Sequence, residues 1–173
     1  MNQNINQHQT PAPVIKRLLA ILYDSFLLIA ALFLAMAVLL LISGGYEFQA
    51  GNPLITVYLL LVSFIFFGWF WTHGGQTLGM RAWKLRVQQT NGKPISWQHV
   101  ALRFTTALPA WIALFIGMAL VADIQLDTYP WLNRLSMQTK WLIFIVGIAW
   151  LVVDQWPNGW RDKVSGTRVV KLS

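Results

Sequence analysis

Four long apolar stretches run along the chain, and polar or charged segments separate them. They cover about residues 18–42, 54–72, 104–122 and 138–156. Because a helix needs about 20 apolar residues to cross the hydrocarbon core of a bilayer, each stretch is long enough to span a membrane. The fourth stretch contains Lys140 near its start, and the long side chain of a lysine can reach the polar interface. The pattern predicts four transmembrane helices.

The polar segments before and between these stretches have patterns of their own. Residues 1–13 are rich in Asn and Gln and are predicted to form a disordered cytoplasmic tail. The long segment 73–103 opens with HGGQTLG, in which the paired glycines end a helix and Thr77 is placed to cap the next one. We therefore expect a short interfacial helix at the start of this segment.

A small β structure is predicted after that helix. The Asn91-Gly92 pair is typical of a β-hairpin turn, and the chain ends in the β-branched sequence TRVVKLS. We expect residues 167–171 to pair with the hairpin strand around residues 85–89. The predicted fold class is therefore an all-α membrane protein, a four-transmembrane-helix bundle with a small β-hairpin and an interfacial helix between spans two and three.

Composition supports this class. Of the 173 residues, 56% are hydrophobic and 11% are charged, and the mean hydropathy is +0.52. These values lie outside the usual range of a soluble domain. Cysteine is absent, which excludes disulfides and thiolate metal sites.

The basic residues are distributed unevenly between the two sides of the predicted bundle. Eleven of the 13 Lys and Arg residues lie before span one, between spans two and three, or after span four; the other two are Arg134 and Lys140. By the positive-inside rule, this places both termini and the segment 73–103 in the cytoplasm. The net charge of +7 is then mainly a topology signal, and we expect no nucleic-acid partner.

One carboxylate, Asp24, lies inside the first apolar stretch. A charged group at the bilayer midplane costs about 2.5–3.5 kcal/mol on insertion scales, and less near the interface. Arg17 lies seven residues earlier on the same helix face, about 10 Å away along the axis, which is too far for direct contact. We therefore expect the cation that binds Asp24 to lie on another element, with Arg103 or Arg161 as candidates.

Several charged residues fall on the same side of the membrane and form one candidate site. Its members are Arg17, Asp24, Arg103, Asp154 and Asp162. Two interpretations of Asp24 stay open: it is a titrating proton or ion site, or it only holds helices together through a charge pair. For Asp154 and Asp162 the structural interpretation is favoured.

The sequence contains no catalytic constellation that we can identify. No nucleophile has a base at matching spacing, no phosphate-binding loop is present, and neither His73 nor His99 has a second metal ligand at helical spacing. We therefore expect no enzymatic activity, no cofactor and no bound metal.

Together these motifs resemble the RDD family of bacterial membrane proteins, which is named for one arginine and two aspartates. In KRLLAILYD, Arg17 corresponds to the arginine and Asp24 to the first aspartate. GGQTLGMRAWKLRV is similar to the family's glycine-threonine-glycine stretch, and an arginine, Arg103, again precedes the next span. RDKVSGTRVV supplies the second aspartate, Asp162, although Arg161 replaces a histidine that is frequent in the family. The resemblance covers about residues 14–171, so we expect one membrane domain over residues 14–173.

The resemblance implies a membrane location and a transport role, since cation–proton exchange is attributed to some members. Our leading hypothesis is an inner-membrane transport protein, with exchange of a small cation for a proton as the candidate activity, in which Asp24 titrates and Arg17 or Arg103 modulates it. The alternative is an accessory or assembly subunit, or a scaffold, of a larger membrane complex. Because four short spans form a small bundle, a pathway would need a homo-oligomer. The expected partners are thus the lipid bilayer and either further copies or a larger membrane complex.

Overall fold

The computed structural model describes residues 10–45, 48, 52–124 and 130–172, and these residues are mostly helical. The helices are α1 (Val14–Ile42), α2 (Pro53–Gly74), α3 (Leu78–Ala82), α4 (Trp97–Val121), α5 (Pro130–Asn133), α6 (Met137–Asp154) and α7 (Trp160–Val164). The strands are β1 (Leu85–Gln89) and β2 (Thr167–Lys171). Helices α1, α2, α4 and α6 are long and apolar enough to span a membrane, with mean hydropathies of 3.0, 2.2, 1.9 and 1.5. The prediction of a helical fold with four candidate spans is confirmed.

The outer surface of these four helices is apolar. Large side chains such as Phe33, Leu41, Ile65 and Ile145 are all more than half exposed. A soluble protein rarely exposes apolar surface so extensively, whereas a lipid-facing surface requires it. The exposed faces therefore indicate an integral membrane protein.

Helix α4 begins earlier than the apolar stretch predicted. Its first residue is Trp97 rather than Phe104. The backbone amide of Ser96 donates to Nδ1 of His99 at 3.3 Å, which satisfies one of the free donors at the helix start. Arg103 consequently lies within α4, in its second turn, and not in the segment before the span.

Strands β1 and β2 form a two-stranded antiparallel sheet. Leu85 pairs with Lys171, Val87 with Val169 and Gln89 with Thr167. The predicted pairing of the C-terminal segment with residues 85–89 is therefore confirmed.

The predicted hairpin at Asn91-Gly92 is wrong. The chain does turn there, with the Gly92 amide donating to the Gln89 carbonyl at 2.9 Å, but residues 93–96 form no strand. Pro94 lacks the amide hydrogen that a ladder needs, and the side chain of Gln89 donates to its carbonyl at 2.7 Å. Strand β2 lies on the opposite edge of β1, and the edge that a hairpin partner would take is contacted by Gly75, whose carbonyl accepts from the Val87 amide at 2.7 Å.

The residues just before α1 are ordered. The Ala12 amide donates to the Val169 carbonyl at 3.0 Å, and the Lys171 amide donates to the Thr10 carbonyl at 3.1 Å. Residues 10–13 therefore depart from the predicted disordered tail, because the second edge of β2 binds their backbone. The rest of that tail, residues 1–9, lies outside the described residues.

Helices α4 and α6 pack closely through two glycines. A Cβ atom at Gly117 would lie 2.5 Å from the Cα of Phe144, and one at Gly147 would lie 2.6 Å from the backbone nitrogen of Leu114. Small residues at such contacts let two helix backbones approach in a membrane. At one end of this pair, Nζ of Lys140 lies 3.0 Å from Oδ1 of Asp123. The opposite end contacts α7 and the sheet and contains the candidate site.

Candidate functional site

Asp162 on α7 bridges two arginines from two different spans. Nη1 of Arg17, in the first turn of α1, donates to Oδ2 of Asp162 at 3.0 Å. Nη1 of Arg103 on α4 donates to Oδ1 of Asp162 at 2.8 Å. All three residues are 3% exposed. Because each charge is buried, the pairs are much less screened than pairs at a surface.

Further hydrogen bonds from the two arginines reach the backbone and β2. Arg17 donates through Nε to the Ala12 carbonyl and through Nη2 to the Val169 carbonyl, both at 3.2 Å. Nη1 of Arg103 also donates to the hydroxyl of Thr167 at 2.5 Å. The guanidinium of Arg103 lies 5.7 Å from the ring centroid of Trp71, within the range of a cation–π contact. Arg17 and Arg103 thereby fix the sheet against the ends of α1 and α4.

A second buried ion pair connects α6 to α7. Nη1 of Arg161 donates to Oδ2 of Asp154 at 2.8 Å, and the side chain of Gln155 donates to the same oxygen at 3.1 Å. We refer to Arg17, Arg103, Asp154, Arg161 and Asp162 together as the charged layer.

Asp24 is bound differently, through uncharged groups at the start of α3. Its Oδ1 accepts from the backbone amide of Gly79 at 2.8 Å, and its Oδ2 accepts from the hydroxyl of Thr77. The Thr77 hydroxyl oxygen in turn accepts from the Met80 amide at 3.2 Å, so it caps α3 as predicted. The carboxylate of one helix thus satisfies free donors at the start of another.

Gly79 allows this close approach of α3 to α1. A Cβ atom at this position would collide with the Ala20 carbonyl oxygen and would lie 2.8 Å from Oδ1 of Asp24. Only a residue without a side chain therefore fits between the two helices without displacing one of them.

The predicted cation partner of Asp24 is wrong. Arg103 binds Asp162, and Arg161 binds Asp154. Within the part of the chain that the structure describes, Asp24 has no ion pair, and its hydrogen-bond donors are Thr77 and Gly79. The candidate residues therefore divide into the charged layer and a separate site at Asp24.

A cavity of about 350 Å³ lies between α1, α2 and α4 and reaches both of these sites. Most of its wall is apolar, and the charged residues that line it are Arg17, Asp24, Arg103 and Arg161. Asp154 and Asp162 do not line it. Within the described ranges, no three His, Cys, Asp or Glu residues come close enough together to hold a metal ion.

A sequence model of the RDD family matches residues 11–166, which is most of the chain. The chain belongs to the RDD family. No curated protein sequence and no solved structure matches it. In this RDD protein, two of the residues assigned by the resemblance, Arg17 and Asp162, bind each other, whereas the third, Asp24, binds α3.

The surroundings of α7 shift the pKa values of its two charged residues in this RDD protein. Burial raises the pKa of Asp162, but the charges of Arg103 and Arg17 and their hydrogen bonds outweigh this effect and lower it below the ordinary value of 3.8. Burial, together with the charge of Arg103, lowers the pKa of Arg161 to about 10 despite the opposing effect of Asp154. Both residues remain charged at neutral pH.

Several residues of the site were missed by the sequence analysis. Thr77 was identified as a helix cap but not as a partner of Asp24, and the roles of Gly79, Trp71 and Thr167 were not predicted. The HGGQTLG motif contains the only available signal, because a threonine and a glycine two residues apart present a hydroxyl and an amide to one carboxylate. Nothing in the sequence indicates which carboxylate that is.

Proposed function

We propose that this RDD protein transports a small solute across the cell membrane with coupled movement of protons, and that Asp24 is the proton-carrying group. The observation that supports this proposal is the contrast among its buried carboxylates. Asp24 lines the cavity and binds uncharged donors, whereas Asp154 and Asp162 bind arginines and do not line it. We propose a non-enzymatic role, because these groups pair with one another rather than form a nucleophile and its base.

The partners of Asp24 suit a carboxylate that gains and loses a proton. A guanidinium favours the ionised form strongly, and none contacts Asp24 in the described residues. The hydroxyl of Thr77 can donate to an ionised carboxylate and can accept from a protonated one. Protonation therefore does not require the surrounding residues to rearrange.

The charge balance around the cavity connects this proton to a solute. The charged layer contains three arginines and two aspartates. With Asp24 ionised, the six groups sum to zero; with Asp24 protonated, they sum to one positive charge. Proton uptake thus changes the electrostatic potential in the cavity, which alters its affinity for a charged solute.

Cation–proton exchange is the form of this activity that the family resemblance implies. With Asp24 protonated, the charged groups around the cavity sum to one positive charge, which disfavours a free cation. We therefore propose proton coupling without assigning a metal cation as the second substrate. The alternative role is that of an accessory or assembly subunit of a larger membrane complex. Purification of the protein in mild detergent tests this role, because a partner would co-purify.

The proposed location is the inner membrane, with both termini in the cytoplasm, and the uneven distribution of Lys and Arg supports it. The chain has no cysteine, so single cysteines can be labelled without background. Asn91→Cys and Lys163→Cys should resist a membrane-impermeant maleimide in intact cells, whereas Trp131→Cys should react. The opposite labelling pattern would reverse the proposed orientation.

Proteoliposomes that contain the full chain and an internal pH dye test the transport function. One of three solutes, Na⁺, K⁺ or decanesulfonate, is added outside the vesicles at fixed pH. Decanesulfonate is chosen because its head group is always ionised and carries no proton itself. We expect at least one of these solutes to change the internal pH with the wild type and not with Asp24→Asn. The matched control is Asp123→Asn, which changes an exposed carboxylate at the other end of α4 and should leave the signal intact.

Two results would contradict the proposal: no pH change with any of the three solutes, or an equal change with Asp24→Asn. An inactive protein that co-purifies in mild detergent with a stoichiometric membrane partner would instead support the accessory role.

A further inference from the structure

The cavity is long compared with its volume. Along α1 its lining extends from Arg17 to Leu32, which corresponds to about 22 Å of helix axis. Along α4 it extends from Arg103 to Phe115, or about 18 Å. A volume of about 350 Å³ spread over this length gives a narrow space, which suits an extended chain better than a compact ring or a hydrated ion.

The two ends of the cavity differ in polarity. One end of the cavity is lined by Asp24 and by two arginines of the charged layer, Arg17 and Arg103. The other end is lined by apolar residues that include Leu32, Leu108 and Phe115. Ligand pockets of this size bind by apolar contact and use a few polar groups to fix orientation. The gradient therefore fits a molecule with one polar end and one apolar end.

The unpaired polar atoms around the cavity are donors. In the described residues, Nε of Arg103, Nε of Arg161 and Nε1 of Trp71 are buried without a hydrogen-bond partner, and all three residues line the cavity. Oδ1 of Asp154 is a buried acceptor without a partner, but Asp154 does not line the cavity. These nitrogens themselves expose almost no surface, so the complementarity of the cavity to a ligand rests on the residues that line its charged end, which are three arginines and the donor Trp71.

We infer that the cavity binds an amphipathic molecule through its anionic head group and one hydrocarbon chain. The head group lies at the end of the cavity that Arg103 and Arg161 line, and the chain extends along α1 and α4 toward Leu32 and Phe115. Carboxylate, sulfonate and phosphate monoester heads share the required acceptors and charge. The role of this ligand as the transported solute rests on the proposed function, but its binding does not.

Neither a small inorganic anion nor a cationic amphipath fits equally well. An inorganic anion would use the donors but would leave most of the apolar wall without contacts. A cationic amphipath would fill the apolar part and place its charge beside three guanidiniums. Both kinds of ligand therefore serve as controls in a binding experiment with an anionic amphipath.

Binding is measured on the full chain in nanodiscs of phosphatidylcholine by equilibrium dialysis, with empty nanodiscs subtracted. We expect saturable binding of decanesulfonate. Decyltrimethylammonium, which has the same chain, and methanesulfonate, which has the same head, should each bind at least tenfold more weakly. No saturable binding of decanesulfonate, or equal affinity for decyltrimethylammonium, would overturn the inference.

Two variants test the apolar and the polar end separately. Leu108→Trp fills the apolar end and should lower the affinity for decanesulfonate at least tenfold, whereas Ile112→Trp, on the exposed face of the same helix, should not. The double variant Arg161→Gln/Asp154→Asn removes one guanidinium together with its buried partner, which avoids a stranded charge. It should also lower the affinity at least tenfold. Wild-type affinity in Leu108→Trp or in a monodisperse double variant would contradict the assigned site.

The source of the ligand is distinguished by adding phosphatidylglycerol to the nanodiscs. Displacement of decanesulfonate would identify an acidic bilayer lipid that inserts one chain, and no displacement would identify a single-chain amphipath from solution; both support the inference. Decanesulfonate binding without any proton-coupled flux would contradict the proposed transport function alone. Proton-coupled flux of another solute without decanesulfonate binding would contradict this inference alone.

Discussion

Asp162 accepts hydrogen bonds from Arg17 at 3.0 Å and from Arg103 at 2.8 Å, so one carboxylate on a short helix joins the ends of two candidate membrane-spanning helices. The three residues are far apart in the sequence and are all buried. A carboxylate with two guanidiniums has strong electrostatic stabilisation, which offsets part of the cost of removing all three groups from water. The contact is central to the arrangement of α1, α4, α7 and β2.

Asp162→Asn should destabilise the protein strongly. The asparagine keeps the shape but removes the charge that balances two buried guanidiniums, and loss of one partner of a buried pair typically costs about 3–5 kcal/mol. Unfolding in detergent, followed by tryptophan fluorescence, measures the change. Asp123→Asn is the control: its carboxylate is 72% exposed and pairs with one lysine, so its loss should cost clearly less than the loss of Asp162. Equal stability of the two variants would contradict this central role.

Asp162 should also make the stability depend on acid pH. Its pKa is lower in the folded protein than the ordinary value of 3.8, so the folded state binds fewer protons than the unfolded state in this range. The stabilisation from Asp162 is therefore fully present above about pH 4 and is lost as the pH falls through the folded pKa. The unfolding free energy of the wild type minus that of Asp162→Asn should be constant from pH 7 to about pH 5 and should decrease below pH 4. If this difference in unfolding free energy stayed constant as the pH fell below about 4, the pKa of Asp162 would not be lowered in the folded protein.

The sequence predicted the elements whose signal is local. Apolar length alone identified the four candidate spans. One pairing between distant segments, that of β2 with β1, was also predicted, because TRVVKL and KLRV share an alternation of β-branched and basic residues. Thr77 was identified as a cap because the residues before and after it already define the end of one helix and the start of another.

The interactions that the sequence did not predict all depend on tertiary packing. The partner of Asp24 is a hydroxyl and an amide on α3, and a pattern of charges cannot indicate uncharged partners that lie more than fifty residues away. The Asn91-Gly92 turn was correctly identified as a turn, but its hairpin partner was wrong, because Pro94 interrupts the segment after the turn and Gly75 binds the edge of β1 that this partner would take. Arg103 was placed before its helix because a charged residue next to an apolar stretch looks like a flanking residue.

Gly79→Ala should separate α3 from α1. The new methyl group would overlap the Ala20 carbonyl and press on Asp24, and such overpacking typically costs about 1–3 kcal/mol. Gly74→Ala is the matched control, since a Cβ atom there meets nothing within 4 Å. We expect the thermal midpoint in detergent to fall for Gly79→Ala and to stay nearly unchanged for Gly74→Ala. Similar midpoints for the two variants would show that α3 is not held closely against α1.

Two substitutions at Asp24 distinguish a functional carboxylate from a structural one. In Asp24→Asn the amide oxygen can still accept from Gly79, and the amide nitrogen can donate to the Thr77 hydroxyl, so the stability should change by less than about 1 kcal/mol. In Asp24→Ala both donors lose their acceptor, which should cost about 1–3 kcal/mol for each buried group left unpaired. If Asp24 carries the proton, the two variants should both lack proton-coupled flux although their stabilities differ. If Asp24→Asn is instead as unstable as Asp24→Ala, the charge itself holds α3 in place, and the role of Asp24 is structural. Measuring the unfolding free energy and the flux on the same preparations separates these outcomes, because only a titrating carboxylate loses transport while keeping its fold.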